Sequence, residues 1–214
     1  SFSPIEPRLG LKWILSKKSA LSFGLGRHSQ TQPLYTRYYI NPGNSLAHNE
    51  NLGLTFSNHA VLGYSYKINS NFGIKAETYY QALTGIPVET TPSAFSLTNA
   101  GSGFARVFPD TLVNTGTGYN YGFEITIQRY FSKNWHAMFT GCLYNSKYTP
   151  SDGIERNTSY NGIYTVNFLA GREFNWKNKT IGLGTKVTAA GGKRKGVVDP
   201  IASQQQGEVI FQDD

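Results

Sequence analysis

The sequence has little cysteine and little charge, and it contains no long hydrophobic run. Its single cysteine, Cys142, excludes an internal disulfide and makes no metal site alone. Only 15% of the 214 residues are charged, and no stretch approaches the roughly 18 apolar residues of a transmembrane helix. A membrane protein built from strands is not excluded, because its hydropathy is averaged over two faces. The chain begins Ser-Phe-Ser, without methionine or a signal peptide, which predicts a processed product or a fragment.

The excess of positive charge does not predict a nucleic-acid partner. The net charge is +7, but the cations are scattered and many fall at predicted turns, at positions 17–18, 133 and 177–179. A nucleic-acid surface requires clustered basic residues interleaved with aromatic ones on one face. We therefore expect solvated turns and a hydrated interior.

The clearest pattern is a long hairpin over 119–148. Along its first half the apolar residues recur at every second position, which predicts a strand with one apolar and one polar face. These residues are Tyr119, Tyr121, Phe123, Ile125 and Ile127. Such strands exceed the about 5–6 residues typical of soluble domains and suit the roughly 9–11 residues that a tilted strand needs to cross a bilayer.

The same unit repeats along the chain and predicts an all-β, antiparallel fold of about eight long strands in one partial domain, 1–214. The strands are expected near 3–14, 20–29, 57–68, 72–83, 119–131, 135–148, 161–174 and 180–190. Short turns alternate with long loops, expected over 30–56, 84–118 and 149–160, and a polar loop follows from 191. Outer-membrane barrels have this alternation of short periplasmic turns and longer extracellular loops.

A soluble sandwich and a small closed barrel are the two alternatives to a segment of a larger barrel. A soluble antiparallel sandwich would use the aromatic residues as core, but strand length and loop asymmetry favour the membrane. Eight strands could also close a small outer-membrane barrel with a structural or adhesive role. However, the first predicted strand begins and the last one ends on the long-loop side, so we expect a piece of a larger barrel.

Several segments resemble the barrel of TonB-dependent outer-membrane receptors of the kind common in Bacteroidota. The match depends on the order and spacing of these segments and extends over essentially the whole chain. The segments are Pro7 to Trp13, His28 to Gln30 with Gln32 to Tyr35, Asn114 to Glu124, Ser151 to Gly153 with Arg156 to Thr158, Asn161-Gly162, Gly171 to Phe174, and Lys186 to Gly192.

This resemblance implies a transmembrane barrel of about 22 strands, plugged by an N-terminal domain. Such a receptor imports a scarce ligand of siderophore, glycan or peptide class, with energy from the TonB complex. The resemblance also implies that the plug domain and about four closing strands lie outside the chain. The expected partners are outer-membrane lipid, the rest of the barrel and its plug, the TonB complex through that plug, and a surface lipoprotein. The expected location is the bacterial outer membrane.

No pattern in the sequence predicts catalysis, a cofactor or a metal site. A nucleophile elbow and a phosphate-binding loop are missing, and the four histidines have no metal-ligand spacing. A non-enzymatic role is therefore expected. The residues predicted to face the lumen are Arg8, Lys12, Lys75, Glu77, Gln81, Glu124, Gln128, Asn167 and Lys186. The residues predicted to contact ligand from outer loops are Tyr35, Arg37, Tyr38, Phe104 and Arg106, a mixture that does not identify the ligand.

Overall fold

The structure is a computed structural model that describes residues 4–40, 48–100, 109, 111–194 and 200–207. In these residues the chain forms nine β-strands, two short α-helices and one 3-10 helix. The strands are β1 (Arg8–Ile14), β2 (Ser19–Gln30), β3 (Thr55–Asn69), β4 (Phe72–Glu89), β5 (Leu112–Ser132), β6 (Trp135–Thr149), β7 (Arg156–Asn157), β8 (Tyr164–Trp176) and β9 (Lys179–Ala190). The helices are α1 (Leu34–Arg37), α2 (Pro200–Gln206) and the 3-10 helix Leu97–Asn99. No described helix is both long and apolar enough to cross a membrane.

All nine strands belong to one antiparallel sheet. The spatial order follows the chain, β1-β2-β3-β4-β5-β6-β8-β9, and β7 pairs with the outer part of β6. Within the described residues, β1 and β9 form the two edges and do not pair with each other. The predicted all-β antiparallel class is therefore confirmed, and the sheet is open over the part of the chain that the structure describes.

Four tight turns connect hairpins at one end of the sheet, termed the short-turn end. Lys133 and Asn134 have φ of 51° and 65°, the left-handed pair that a two-residue type I′ hairpin requires. In another turn, the side-chain oxygen of Asn69 accepts a hydrogen bond of 2.9 Å from the backbone N–H of Asn71. The opposite, long-loop end carries the three longer connections, so the predicted alternation of short and long connections is present.

Strands β4 and β5 extend well beyond their predicted boundaries. β4 runs to Glu89 and β5 begins at Leu112, so the loop predicted over 84–118 is shorter. Gly85 and Pro87 suggested a loop in the sequence, yet both lie inside β4. Gly85 takes a φ of 68°, and the β4–β5 pairing shifts register twice beside these residues, as expected where proline enters a strand at a bulge.

Other boundaries also differ from the prediction. β1 begins at Arg8, after Pro7, which has no N–H to donate to a ladder. β8 begins at Tyr164, because Ile163 has a φ of 72°, which interrupts the strand expected from 161. The predicted loop over 149–160 contains the short strand β7, and helix α2 lies in the segment predicted as a polar loop.

The buried core of the described residues lies beneath the long loops, at the outer ends of β4, β5 and β6, and not in the middle of the sheet. Val88 and Ile86 have exposed fractions of 0% and 2%. The other buried apolar residues of this cluster are Leu52, Leu97, Leu112 and Tyr148. Asn114 of β5 links the loop before β3 to β4 beside this core: its side-chain oxygen accepts from Gly53 N (2.7 Å) and its amide donates to Gly85 O (2.7 Å). The outer parts of β4 and β5 are therefore packed as in a water-soluble protein.

Gly116 gives a test of this packing, because β5 passes closely under the core there. A Cβ added at Gly116 would lie 2.5 Å from Cγ1 of Val88 and 2.8 Å from the backbone oxygen of Ile86. We expect Gly116→Ala to lower the free energy of unfolding by about 1–3 kcal/mol and to speed proteolysis of the loop after β4, measured by thermal unfolding and mass spectrometry. Gly10→Ala is the matched control, since its added methyl meets no atom within 4 Å. Equal behaviour of the two variants would contradict this packing.

Candidate functional site

The sheet has one apolar and one polar face, and the pairing register continues each face from strand to strand. Directly paired residues of antiparallel strands project to the same face, and their sequence neighbours project to the other. One row of paired residues is Leu11, Phe23, Leu62, Thr78, Phe123, Leu143 and Tyr164. The adjacent row, on the other face, is Lys12, Ser22, Gly63, Glu77, Glu124, Cys142 and Thr165.

The apolar face is left uncovered by the described residues. Leu62, Leu143 and Leu183 have exposed fractions of 50%, 61% and 63%, although they lie in the middle of long strands. Their neighbours on this face are exposed to a similar degree, including Leu11, Phe23, Phe123, Phe168 and Val187. A continuous apolar surface of this extent is unusual on a soluble monomer and indicates contact with another apolar phase or partner.

All nine residues predicted to face a lumen lie on the polar face of the sheet. The register places Arg8, Lys12, Lys75, Glu77, Gln81, Glu124, Gln128, Asn167 and Lys186 there. That this face borders a lumen stays a prediction. Side chains alternate strictly between the two faces of a strand, so the sequence alone predicts which residues share a face.

Several of these side chains form ion pairs or hydrogen bonds on the polar face, either along one strand, as Lys75 and Glu77 of β4 do, or with a neighbouring strand, as Gln81 does. Lys75 Nζ lies 2.6 Å from Glu77 Oε2. The Gln81 amide donates to Ser57 Oγ at 2.7 Å, and its oxygen accepts from Asn120 Nδ2 at 2.7 Å. The polar face is therefore a lattice of charged and neutral hydrogen bonds that spans several strands, as expected for a surface in contact with water.

A denser cluster lies at the long-loop end of this face, around the predicted residue Arg8. Its guanidinium Nη2 lies 3.1 Å from His28 Nδ1 and 3.5 Å from Glu6 Oε2. The His28 and His59 rings stack with centroids 4.7 Å apart. Glu6 accepts hydrogen bonds from the Ser29 hydroxyl (2.6 Å) and backbone N–H (2.7 Å), and these bonds lower the pKa of the Glu6 carboxyl. The sequence did not predict this cluster, because its members come from three separate strands and loops.

The described residues contain no group of three or more histidine, cysteine, aspartate or glutamate side chains placed to hold a metal ion. The stacked geometry of His28 and His59 turns ring faces, not ring nitrogens, toward each other. The cluster is therefore suited to hydrogen bonds and ion pairs, which Arg8 and Glu6 already form there.

The predicted loop residues have separate roles in the structure. Tyr35 lines a cavity of about 370 Å³. Arg37 donates from Nε to the backbone oxygen of Glu50 (2.8 Å) and stacks on Tyr38, so it holds the loop together. Tyr38 is 54% exposed. Phe104 and Arg106 lie outside the described residues.

The cavity beside Tyr35 opens at the long-loop end of the polar face. Its wall on the sheet comes from Gln30, Thr55 and Leu83, which the register places on that face. Gln32 also lines the cavity, and its amide donates to Thr55 Oγ1 at 3.0 Å. Amides, hydroxyls and one phenol ring line part of this space, apolar residues line the rest, and no charged residue is among its described lining.

The loop after β6 is held by two carboxylates that the sequence did not single out. Asp152 accepts from Ile154 N (2.9 Å) and from the Arg156 guanidinium (3.0 Å), and these bonds lower the pKa of Asp152. Glu155 accepts from Lys147 Nζ and the Tyr119 hydroxyl, which lowers its pKa as well. Both loop carboxyls are therefore stabilised in the ionised form.

These pKa shifts predict that the loop after β6 loosens in acid. The folded-state pKa values of Asp152 and Glu155 lie below their ordinary values of 3.8 and 4.5. Their stabilisation is therefore present above about pH 4.5 and is lost as pH falls through the folded values. We expect hydrogen exchange of residues 150–157 to show less protection at pH 3 than at pH 6, after correction for the intrinsic rate. Asp152→Asn should weaken this pH response, and an unchanged response in that variant would contradict the assignment.

Comparison with known proteins shows a likeness in fold. No protein-family model matches the chain, and no curated protein sequence matches it. Among solved structures, the chain is similar to the FrpB iron transporter from Neisseria meningitidis (F3-3 variant), with a TM-score of 0.54 and 14% identity. The match covers 85% of this chain and 26% of that one, so the chain spans about a quarter of the length of its structural relative.

Proposed function

We propose that the chain is part of an outer-membrane transport barrel whose strands cross the lipid bilayer. The observation that carries the proposal is the continuous exposed apolar face opposite a hydrogen-bonded polar face. Strands of a membrane barrel turn apolar residues to lipid and polar residues to the interior. The fold likeness to an iron transporter supports a role in transport.

The dimensions of the strands fit this arrangement. A tilted strand needs roughly 9–11 residues to cross the hydrocarbon layer, and β5 has 21 residues while β4 has 18. The excess lies at the long-loop end, where Val88 and Ile86 are buried under loops. In this reading the inner part of each strand is in lipid, and the outer part rises into water with a core of its own. By the rule for outer-membrane barrels, the short turns face the periplasm.

The open edges favour a larger barrel over a self-contained one. Exposed N–H and C=O groups at a sheet edge are very unfavourable in hydrocarbon, and β1 and β9 do not pair with each other in the described residues. Further strands beyond this segment would satisfy both edges. The proposal includes the finer expectations: a TonB-dependent receptor of Bacteroidota type with about 22 strands, whose plug domain, TonB complex and surface lipoprotein are partners outside this chain.

The cavity beside Tyr35 is the proposed point of ligand contact, and the role is binding and passage without catalysis. It lies where the polar face meets the long loops, which is the outer mouth of the barrel in the proposed orientation. Its mixed lining of amides, hydroxyls and apolar side chains suits a ligand with both hydrogen-bonding and apolar groups, within the siderophore, glycan or peptide classes.

A pair of adjacent residues on β3 distinguishes a membrane barrel from a soluble sheet. Leu62 lies on the apolar face and Val61 on the polar face. Arginine on the lipid face costs about 2–4 kcal/mol near the bilayer midplane. In the full-length protein we expect Leu62→Arg to reduce the heat-modifiable, protease-resistant form in outer-membrane fractions, while Val61→Arg should leave it nearly unchanged. Equal effects of the two variants, or a full-length protein missing from those fractions, would contradict the proposal.

The cavity gives a second test in the full-length protein. Tyr35→Ala should weaken ligand binding by about 1–2 kcal/mol, or about tenfold in affinity, because it removes the aromatic wall. Leu34→Ala is the matched control, since Leu34 is the neighbour of Tyr35 in α1, is 70% exposed and does not line the cavity. Uptake of ferric siderophores, oligosaccharides and peptides by cells carrying each variant is the measurement. Similar uptake by both variants would place ligand contact elsewhere.

A further inference from the structure

Two arginines lie on the apolar face near the short-turn end, on the strands on either side of Trp135. Cζ of Arg129, in β5, lies 4.0 Å from the centroid of the Trp135 ring in β6. Arg172, in β8, is the direct register partner of Trp135, so their Cβ atoms are about 5 Å apart. Cζ of Arg172 also lies 5.0 Å from the centroid of the Phe174 ring. Two cations thus flank an indole on the face that otherwise carries large apolar side chains.

A groove runs beside these arginines because one row of the face consists of small residues. Arg129 shares its row with Ala137, Ala170 and Thr185. The next row toward the long-loop end is bulky and consists of Ile127, Phe139, Phe168 and Val187. On the other side of the groove stand Trp135, Arg172 and Leu183. The structure shows a cavity of about 400 Å³ there, lined on this face by Trp135, Ala170, Arg172, Leu183 and Thr185.

Neither arginine has an anionic partner within the described part of the chain. The Nε of Arg129 is buried without a hydrogen-bond partner, and its Nη2 donates to the backbone oxygen of Ser132 at 3.2 Å. Arg172 forms no ion pair with a described residue, and the neighbouring carboxylate of Glu173 belongs to the polar face by strand alternation. Arg172 lines the groove and Arg129 lies against its Trp135 wall, so two positive charges at the groove have no carboxylate partner among the described residues.

We propose that this groove binds the headgroup of an anionic glycerophospholipid, with its phosphate at Arg129 and Arg172. The inference rests on the proposed membrane location. Guanidinium groups bind phosphate oxygens through paired N–H donors, and indole rings favour the membrane–water interface. A net negative lipid fits better than a zwitterionic one, because two cations remain to be neutralised. The bulky row containing Phe168 then contacts the acyl chains.

The continuity of the apolar face favours a lipid over a protein partner. The groove opens toward Phe139 and Phe168, whose row belongs to the surface proposed to face hydrocarbon. A ligand at this place must combine an anionic group at the rim with an apolar body beside that row. A glycerophospholipid has both parts in this order, and free phosphate has only the first.

The test uses the full-length protein, delipidated in detergent and titrated with phosphatidylglycerol or phosphatidylcholine in native mass spectrometry. We expect the wild type to prefer phosphatidylglycerol. Each cation near an anionic lipid contributes about fivefold in affinity. Loss of both in the double variant Arg129→Gln/Arg172→Gln should therefore weaken binding of phosphatidylglycerol by about 30-fold. Lys133→Gln/Lys177→Gln is the matched control, because it removes two cations from turns at the same end and should preserve the preference. Arg172→Lys, which keeps the charge but not the paired donors, should give an intermediate affinity.

Several outcomes would overturn the inference. They are equal binding of the two lipids by the wild type, an unchanged preference in the double variant, and full displacement of the lipid by inorganic phosphate in molar excess. Heat-modifiability on a gel verifies that each variant is folded, and Arg172→Gln alone keeps the test valid if the double variant does not fold. A protein that enters the outer membrane but shows no lipid preference contradicts this inference only. A protein that is not found in that membrane contradicts the proposed function.

Discussion

The pairing register of the antiparallel sheet is the constraint on which the rest of the structure depends. Side chains alternate along each strand, so a slip of one residue between two strands would move a whole set of side chains to the other face. The observed register avoids this slip in the inner sheet from β1 to β9, so most apolar residues of successive strands fall on one face and most polar residues on the other. This continuity produces a face suited to lipid and a face suited to water from one set of backbone hydrogen bonds.

In the proposed function, the same strands contact lipid in the inner sheet and water at the long-loop end. In the inner sheet, Leu62 and Leu143 remain exposed, because their partner in the proposed function is lipid. At the long-loop end, Val88 and Leu112 are buried, and the Asn114 side chain binds backbone groups of the loop before β3 and of the bulged part of β4. The cavity beside Tyr35 lies at this transition, where a rigid sheet supports loops that are ordered by their own core.

Charge follows the same division. On the polar face, Lys75 pairs with Glu77 of the same strand, and the loop carboxylates Asp152 and Glu155 are paired with cations as well. Arg129 and Arg172 differ, because they lie on the apolar face without carboxylates among the described residues. A cation that is costly in hydrocarbon becomes favourable next to a phosphate headgroup. These two arginines therefore favour an anionic lipid as the partner at that end of the sheet.

The sequence by itself determined the strands and their faces, since period-two alternation needs only local spacing. It assigned Lys75, Gln81 and Asn167 to one face, and it located the tight turns. Only the tertiary structure decided the extension of β4 through Gly85 and Pro87, because burial of Val88 outweighs local turn preference. It also decided which residues meet across strands, such as His28 with His59 and Trp135 with Arg172. Those contacts depend on register between distant segments, and no local pattern records that register.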